Sequence, residues 1–191
     1  MAELTLLEID GAWIYKSELH GDSRGYFNEW FKADLISSVL GRNFPIAQAN
    51  QSKSKKGVVR GIHFSLSKLG QAKWITCTSG SFFDVVVDIR PDSKTFKKWV
   101  GVEMSAESGK SILVTEGLGH AFLSLKDETT ITYLLTSPYC PTEEFAINPK
   151  DPEIGIKWPL DSLQFSKKDE AAPSLSEMIE ILRKSPHTGS N

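Results

Sequence analysis

No stretch of this chain approaches the roughly 18 consecutive apolar residues that a membrane-crossing helix needs. The start, MAELTLLEIDGAW, lacks the basic opening and apolar run of a secretory signal. Cysteine is scarce: Cys77 and Cys140 stand far apart and without metal-type spacing. A disulfide framework is therefore not expected, and a reducing cytoplasm is the expected location. An excess of one charge is also missing, since 22 basic and 24 acidic residues leave a net charge of −2. With no basic stripe to neutralise phosphates, nucleic acid is not an expected partner. The short basic run in SKSKKGVVR reads as a solvated turn. Neither an internal repeat nor a linker divides the 191 residues, which suffice for one ample core. A single domain over 1–183 is expected, followed by a disordered tail over 184–191.

What is present is a series of short β segments: KWITCTSG, SFFDVVVDIR, KSILVTEG, AFLSL and TTITYLLT. Each is β-branched or aromatic and is closed by Gly, Ser, Asp or Pro, the punctuation of an all-β sandwich or barrel. In SFFDVVVDIR, Phe83, Val85, Val87 and Ile89 share one face, and Asp84, Asp88 and Arg90 share the other. One face packs in a core, and the other is polar enough to line a cavity or meet water. Helices are few and peripheral. ADLISSVL can form a short one, and Ser174 with Glu177 makes a capping box. Leu175, Met178, Ile179 and Leu182 then form an apolar stripe at helical spacing.

The chemistry-bearing residues lie inside the strands. GVVRGIHFSLSKLGQAKW carries Arg60, His63 and Lys73 in a run otherwise rich in Val, Ile and Phe. Burying such side chains costs free energy unless they are paired. A lone strand histidine is more often a satisfied core residue than a catalyst. Here, however, Arg60 and His63 share one segment, while Lys73, Asp84, His120 and Tyr133 fall in neighbouring ones. Closing short antiparallel strands brings such groups into one cavity, where a base, a cation and a phenol make a proton-transfer site. A metal site in a small barrel uses two histidines one residue apart. GIHFSL has Phe64 beside His63, so no metal is expected.

Six blocks in order, GDSRGYFNEWF, QANQSKSKKGVVRGIHF, GQAKWITCTSGSFFDVVVDIRPDSKTF, TEGLGHAFLSL, TYLLTSPYCPTEE and DPEIGIKWP, resemble the dTDP-4-dehydrorhamnose 3,5-epimerase family. The resemblance runs from about Gly21 to Leu175. It implies a cofactor-free cupin jelly roll, assembled as a homodimer, acting on a dTDP-linked 4-keto-6-deoxyhexose. In that chemistry the protons at C3 and C5 are acidic because their removal gives an enolate through the C4 ketone. By the resemblance, His63 is the base and Tyr133 the proton donor on the opposite side. Lys73 then stabilises charge on O4, and Asp169 orients His63, with Asp84 a second candidate for that task. Without the resemblance, Tyr133 would read as a core tyrosine.

The resemblance also carries over a binding set. Arg24, Glu29, Gln48, Asn50, Arg60, His120, Glu144 and Lys168 match contacts to the nucleotide-sugar, and Tyr139 matches a ring stacked on thymine. Glu144 and Lys168 read equally as solvated surface charges from the residues alone. Two departures from the family pattern, TEGLGHAF for PxGFAHGF and PYCP for YYxP, alter the surroundings of His120 and Tyr139. They leave the base identity and the product open. A 3-monoepimerase, a ketoisomerase of a related nucleotide-sugar and a non-catalytic sugar-binding cupin are the alternatives. Strict alternation puts Arg60 and His63 on opposite faces. The resemblance, however, implies both near the substrate, so Gly61 is expected to carry a bulge or bend that restores a common direction, unless Arg60 reaches round the strand edge.

Overall fold

Alternating β-branched and aromatic residues build thirteen strands and three short helices in the computed structural model, which describes residues 3–184. In chain order the first strands are β1 (Glu3–Leu6), β2 (Ala12–Lys16), β3 (His20–Asp22) and β4 (Gly25–Phe27), followed by α1 (Ala33–Leu40). Next come β5 (Gln48–Ser54), β6 (Val59–Ser65), β7 (Lys73–Ser79), β8 (Ser81–Asp88) and β9 (Trp99–Ser105). The chain continues through β10 (Lys110–Val114), β11 (Leu118–Ser124), β12 (Thr129–Leu135) and β13 (Glu144–Ala146). It closes with α2 (Lys167–Glu170) and α3 (Leu175–Leu182). The expected tail, apart from Lys184, lies outside the described residues.

Two antiparallel sheets face each other as the expected jelly roll. One has the order β1-β2-β10-β7-β12-β5 and the other β13-β6-β11-β8-β9, while β3 and β4 form a separate hairpin. Ile75, Ile112 and Ile131 from the first sheet meet Phe82, Val86, Met104 and Phe122 from the second to fill one end of the space between them. The outer face of the five-stranded sheet packs Ile62, Phe64, Val85, Val87 and Ala121 against Leu175, Met178 and Leu182 of α3. That helix carries the expected capping box, with Ser174 and Glu177 each satisfying the other's backbone N–H. On the opposite outer face, Tyr15, Trp74 and Leu134 cover Ile36 of α1.

Neither face of β8 meets water. Val85 and Val87 pack outward beneath α3. Asp84 and Asp88, with Phe82 and Val86, are fully buried. Asp88 accepts from Arg90, Ser93 and Thr95, so its carboxylate is a structural hub.

The register of β6 against β11 places the polar groups. His120 opposes His63, yet Phe122 opposes Arg60, so two steps on β11 span three on β6. That extra residue is a β-bulge, as expected at Gly61, and it turns Arg60 and His63 into one cavity. Gly61 has φ +123° and its peptide to Ile62 is cis. A Cβ on Gly61 would lie 2.5 Å from the Ala121 Cβ and 2.6 Å from the His120 carbonyl oxygen. Gly61→Ala should therefore combine backbone strain with overpacking and cost about 2–5 kcal/mol in urea-unfolding stability. Gly41→Ala, at φ +64° with nothing within 4 Å of the new Cβ, should cost only about 1–2 kcal/mol. Equal losses would remove close approach as the reason for Gly61.

Candidate active site

The open end of the space between the sheets is a cavity of about 180 Å³ lined by Ser52, Arg60, His63, Lys73, His120, Phe122, Ile131 and Tyr133. It continues past His63, Lys73 and Tyr133 into a second space of about 200 Å³ bordered by Asn50, Gln71, Tyr139, Glu144 and Lys168. The two walls differ in chemistry because they come from different sheets. His63 on β6 and His120 on β11 stand side by side on the five-stranded wall. Lys73 on β7 and Tyr133 on β12 stand on the six-stranded wall. A planar group between the sheets has imidazoles on one face and an ammonium and a phenol on the other.

His63 Nε2 lies 2.7 Å from Asp169 Oδ1. The short helix α2 presents that carboxylate: Ser166 caps it by accepting from the Asp169 backbone N–H at 3.1 Å. Asp169 is almost fully buried, which by itself pushes its pKa up. The His63 hydrogen bond and charge, with Ser166 and the Gly61 N–H, outweigh burial and hold it below the usual carboxylate range. An ionised Asp169 can only accept, so His63 Nε2 carries a proton, and the neutral form of the ring has its lone pair on Nδ1. Of the two candidate partners for His63, Asp169 is the one in contact. Asp84 faces His120 instead, with 2.7 Å between His120 Nε2 and Asp84 Oδ2.

Lys73 is partly covered, and loss of hydration lowers its pKa from the ordinary lysine value. The charges of Glu144 and Asp84 oppose that fall. Gln71 holds Glu144 in place, donating from Nε2 to Oε1 at 3.0 Å. Gln48 donates to Asn50 Oδ1 at 2.7 Å and accepts from the Tyr139 N–H at 2.8 Å, which leaves the Tyr139 ring exposed at the mouth. Arg60 is steadied by Ser54 Oγ and the Lys53 carbonyl. Lys168, beside Asp169 on α2, borders both the second space and a further opening of about 370 Å³ behind His63.

Two expected binding residues are not brought to this cavity. Arg24 pairs with Asp22 at 2.5 Å with its side chain 88% exposed, and Glu29 pairs with Lys32 at 3.0 Å. The reason is topological. Strands β3 and β4 pair only with each other, and Tyr26 ties their hairpin to the Ala106 carbonyl beside a different groove. Conversely, Ser52 and Gln71 line the site without having been singled out. Alternation held the signal: Ser52 follows Gln48 and Asn50 on one face of β5, and Gln71 stands two residues before Lys73. Among the described residues, no three His, Cys, Asp or Glu side chains cluster so as to hold a metal ion.

The family model described as dTDP-4-dehydrorhamnose 3,5-epimerase matches residues 6–177. A dTDP-4-dehydrorhamnose 3,5-epimerase of Mycolicibacterium smegmatis is 46% identical over 172 residues, covering 90% of this chain and 85% of the relative. A 4-keto-6-deoxy sugar epimerase from the novobiocin gene cluster of Streptomyces spheroides superposes with a TM-score of 0.92 at 40% identity, over 95% of this chain and 91% of that one. A 3'-monoepimerase of Streptomyces bikiniensis, solved with dTDP-quinovose, gives a TM-score of 0.89 at 43% identity, over 93% and 90%.

The balance at Lys73 makes a testable pH dependence. Glu144 raises the Lys73 pKa against desolvation, so Glu144→Gln should lower it further. The alkaline limb of a kcat/KM profile that needs a charged Lys73 should then move to lower pH, whatever the change in its height. An unmoved limb would mean that Lys73 does not govern it.

Proposed function

The chain belongs to the dTDP-4-dehydrorhamnose 3,5-epimerase family, and from that membership we propose that it inverts C3 and C5 of a dTDP-4-keto-6-deoxyhexose through enolate intermediates. It is an enzyme of the isomerase class. One observation carries the assignment of roles: the oriented His63–Asp169 pair faces Tyr133 and Lys73 across the gap between two sheets. His63 Nδ1 takes a proton beside the ketone, and the electron pair enters the enolate. Asp169 stabilises the imidazolium, and the Lys73 ammonium meets the charge developing on O4. Tyr133 returns a proton from the other side, which inverts the carbon. Gln48, Asn50, Arg60, Glu144 and Lys168 form the polar surround of the nucleotide-sugar, with the Tyr139 ring at the mouth available to stack on the base.

The chemistry needs no metal or organic cofactor, because the ketone already acidifies the neighbouring C–H bonds. Prolonged dialysis against a strong chelator should leave turnover unchanged; loss that one added divalent ion restores would overturn this. We place the enzyme in the cytoplasm, in keeping with two unpaired cysteines. We also propose a homodimer. Arg24 and Glu29 do not line the cavity of their own chain, and Tyr26 and Phe27 on the hairpin that carries Arg24 are 52% and 65% exposed. A second copy covering that hairpin would bury those rings and bring Arg24 to the partner's nucleotide. Light scattering should give twice the 21.2 kDa chain mass; a monomer that is fully active would refute the dimer.

A 3-monoepimerase is the second reading, favoured by the 43% identity to the Streptomyces bikiniensis enzyme. Incubation with dTDP-4-keto-6-deoxyglucose in deuterated water separates the two. Deuterium at both C3 and C5 is expected, deuterium at C3 alone would favour the monoepimerase, and none at all would reject both. Tyr133→Phe should admit deuterium faster than it forms inverted product, since removal of the proton survives and delivery from the far side does not. Parallel loss of exchange and inversion would instead make the phenol a stabiliser of the enolate.

A further inference from the structure

The inner end of the cavity holds a hydroxyl without a partner. Ser52 Oγ is buried and, among the described residues, makes no hydrogen bond. Leaving such a group unpaired costs free energy, and the cavity that Ser52 lines is where a partner can be supplied. Ser52 stands on the six-stranded wall, on the same face of β5 as Gln48 and Asn50. Arg60 reaches across from β6 and pins β5 just beyond it, donating from Nε to Ser54 Oγ at 3.2 Å and from Nη2 to the Lys53 carbonyl at 3.3 Å. Phe122 and Ile131 beside it offer no side-chain hydrogen bond. Rotation about one torsion presents the Ser52 hydroxyl to a ligand, in a place shielded from water where the bond is strong.

The position of Ser52 on the wall says which ligand atom it meets. Strand β12 runs between β5 and β7. Ser52 opposes Ile131 and Lys73 opposes Leu135, two residues to either side of Tyr133. Ser52, Tyr133 and Lys73, which all line the cavity, therefore lie on one diagonal with Tyr133 in the middle. A 4-keto-6-deoxyhexose has a matching row of atoms, since C3 lies between C4, with its ketone oxygen, and C2, with its hydroxyl. C3 and C5 are inverted, C6 is a methyl and C1 carries the diphosphate. The C2 hydroxyl is thus the one hydroxyl whose carbon keeps its configuration, so a fixed group can hold it before and after inversion. We propose that Ser52 binds the C2 hydroxyl of the sugar and makes the enzyme selective for 2-hydroxylated over 2-deoxy substrates. The proposal rests on the 4-keto-6-deoxyhexose reading and narrows the substrate class within it. With O4 at Lys73 and O2 at Ser52, C3 rests between Tyr133 on one wall and His63 on the other. Ser52 makes and breaks no covalent bond; it fixes the ring along the wall.

The test compares dTDP-4-keto-6-deoxyglucose with dTDP-4-keto-2,6-dideoxyglucose, by kcat/KM for deuterium entry at C3 in deuterated water. The wild type should favour the 2-hydroxylated sugar by about 5–100-fold, because the 2-deoxy analogue leaves the Ser52 hydroxyl unpaired. Ser52→Ala should remove most of that preference. Ser52→Cys keeps the shape of the side chain with a weak donor and should narrow the preference in the same direction. A purely structural defect lowers both rates in proportion and leaves their ratio alone. A wild-type preference below about fivefold, or a preference that survives in Ser52→Ala, overturns the role of Ser52 while leaving an enzyme that exchanges C3. Absence of exchange with either sugar in the wild type would instead remove the functional reading, and this proposal with it.

Discussion

The catalytic wall depends on a place where two strands approach too closely for any side chain. Gly61 lies against Ala121 and the His120 carbonyl, and at φ +123° it inserts one extra residue into β6. Without that bulge, regular pleating would send Arg60 and His63, three residues apart, to opposite faces, one of them into the apolar layer beneath α3. The same residue turns its N–H to Asp169, helping to keep the carboxylate ionised. Register, side-chain direction and the electrostatics of the His63 partner thus meet at a single glycine. A larger residue there would disturb all three at once.

The second constraint is the division of labour between sheets. Proton removal and proton delivery on opposite faces of a ring require groups that cannot come from one surface. A jelly roll supplies two facing surfaces held at a fixed spacing by the apolar plug of Ile75, Val86, Met104, Ile112 and Phe122. The plug closes one end and leaves the other for substrate. In the role proposed for Lys73, loss of water is an advantage, since an ammonium in a drier place acts more strongly on a nascent enolate. Too much drying would discharge it, and the carboxylates of Glu144 and Asp84 counter that loss. Gln71 belongs to this balance because it fixes Glu144.

Much of this was legible in the sequence, and what was not has identifiable causes. The strands and the capping box at Ser174 are local patterns, so propensity and alternation exposed them, whereas the bulge at Gly61 followed from alternation only together with the family resemblance, which implies both Arg60 and His63 near the substrate. Asp169 against Asp84 was undecidable from spacing, because the choice rests on how α2 docks against β6 across 106 positions of chain. The polar side of β8 was read as cavity-lining or solvated, but Asp84 and Asp88 are both enclosed, and only the registry with β11 and the loop at Ser93 reveals their partners. Arg24 and Glu29 could not be placed by pattern at all. Arg24 lies in the turn of a hairpin that belongs to neither sheet and Glu29 lies just after it, so nothing in strand alternation says which cavity they serve.

A 3'-monoepimerase and a 3,5-epimerase share this scaffold, with TM-scores of 0.89 and 0.90 to the present chain for the Streptomyces bikiniensis and Legionella pneumophila enzymes. The number of inversions therefore does not follow from the fold. With the roles proposed above, it would depend on where the sugar rests along the wall. C3 and C5 lie on either side of C4, whose oxygen Lys73 is proposed to hold as a pivot. A small lateral shift of the ring about that pivot changes which carbon an imidazole reaches and whether Tyr133 stands above it. Side chains that only set lateral position, such as Ser52, Phe122 and Ile131 at the inner end of the cavity, can then govern the product while every acid and base stays in place.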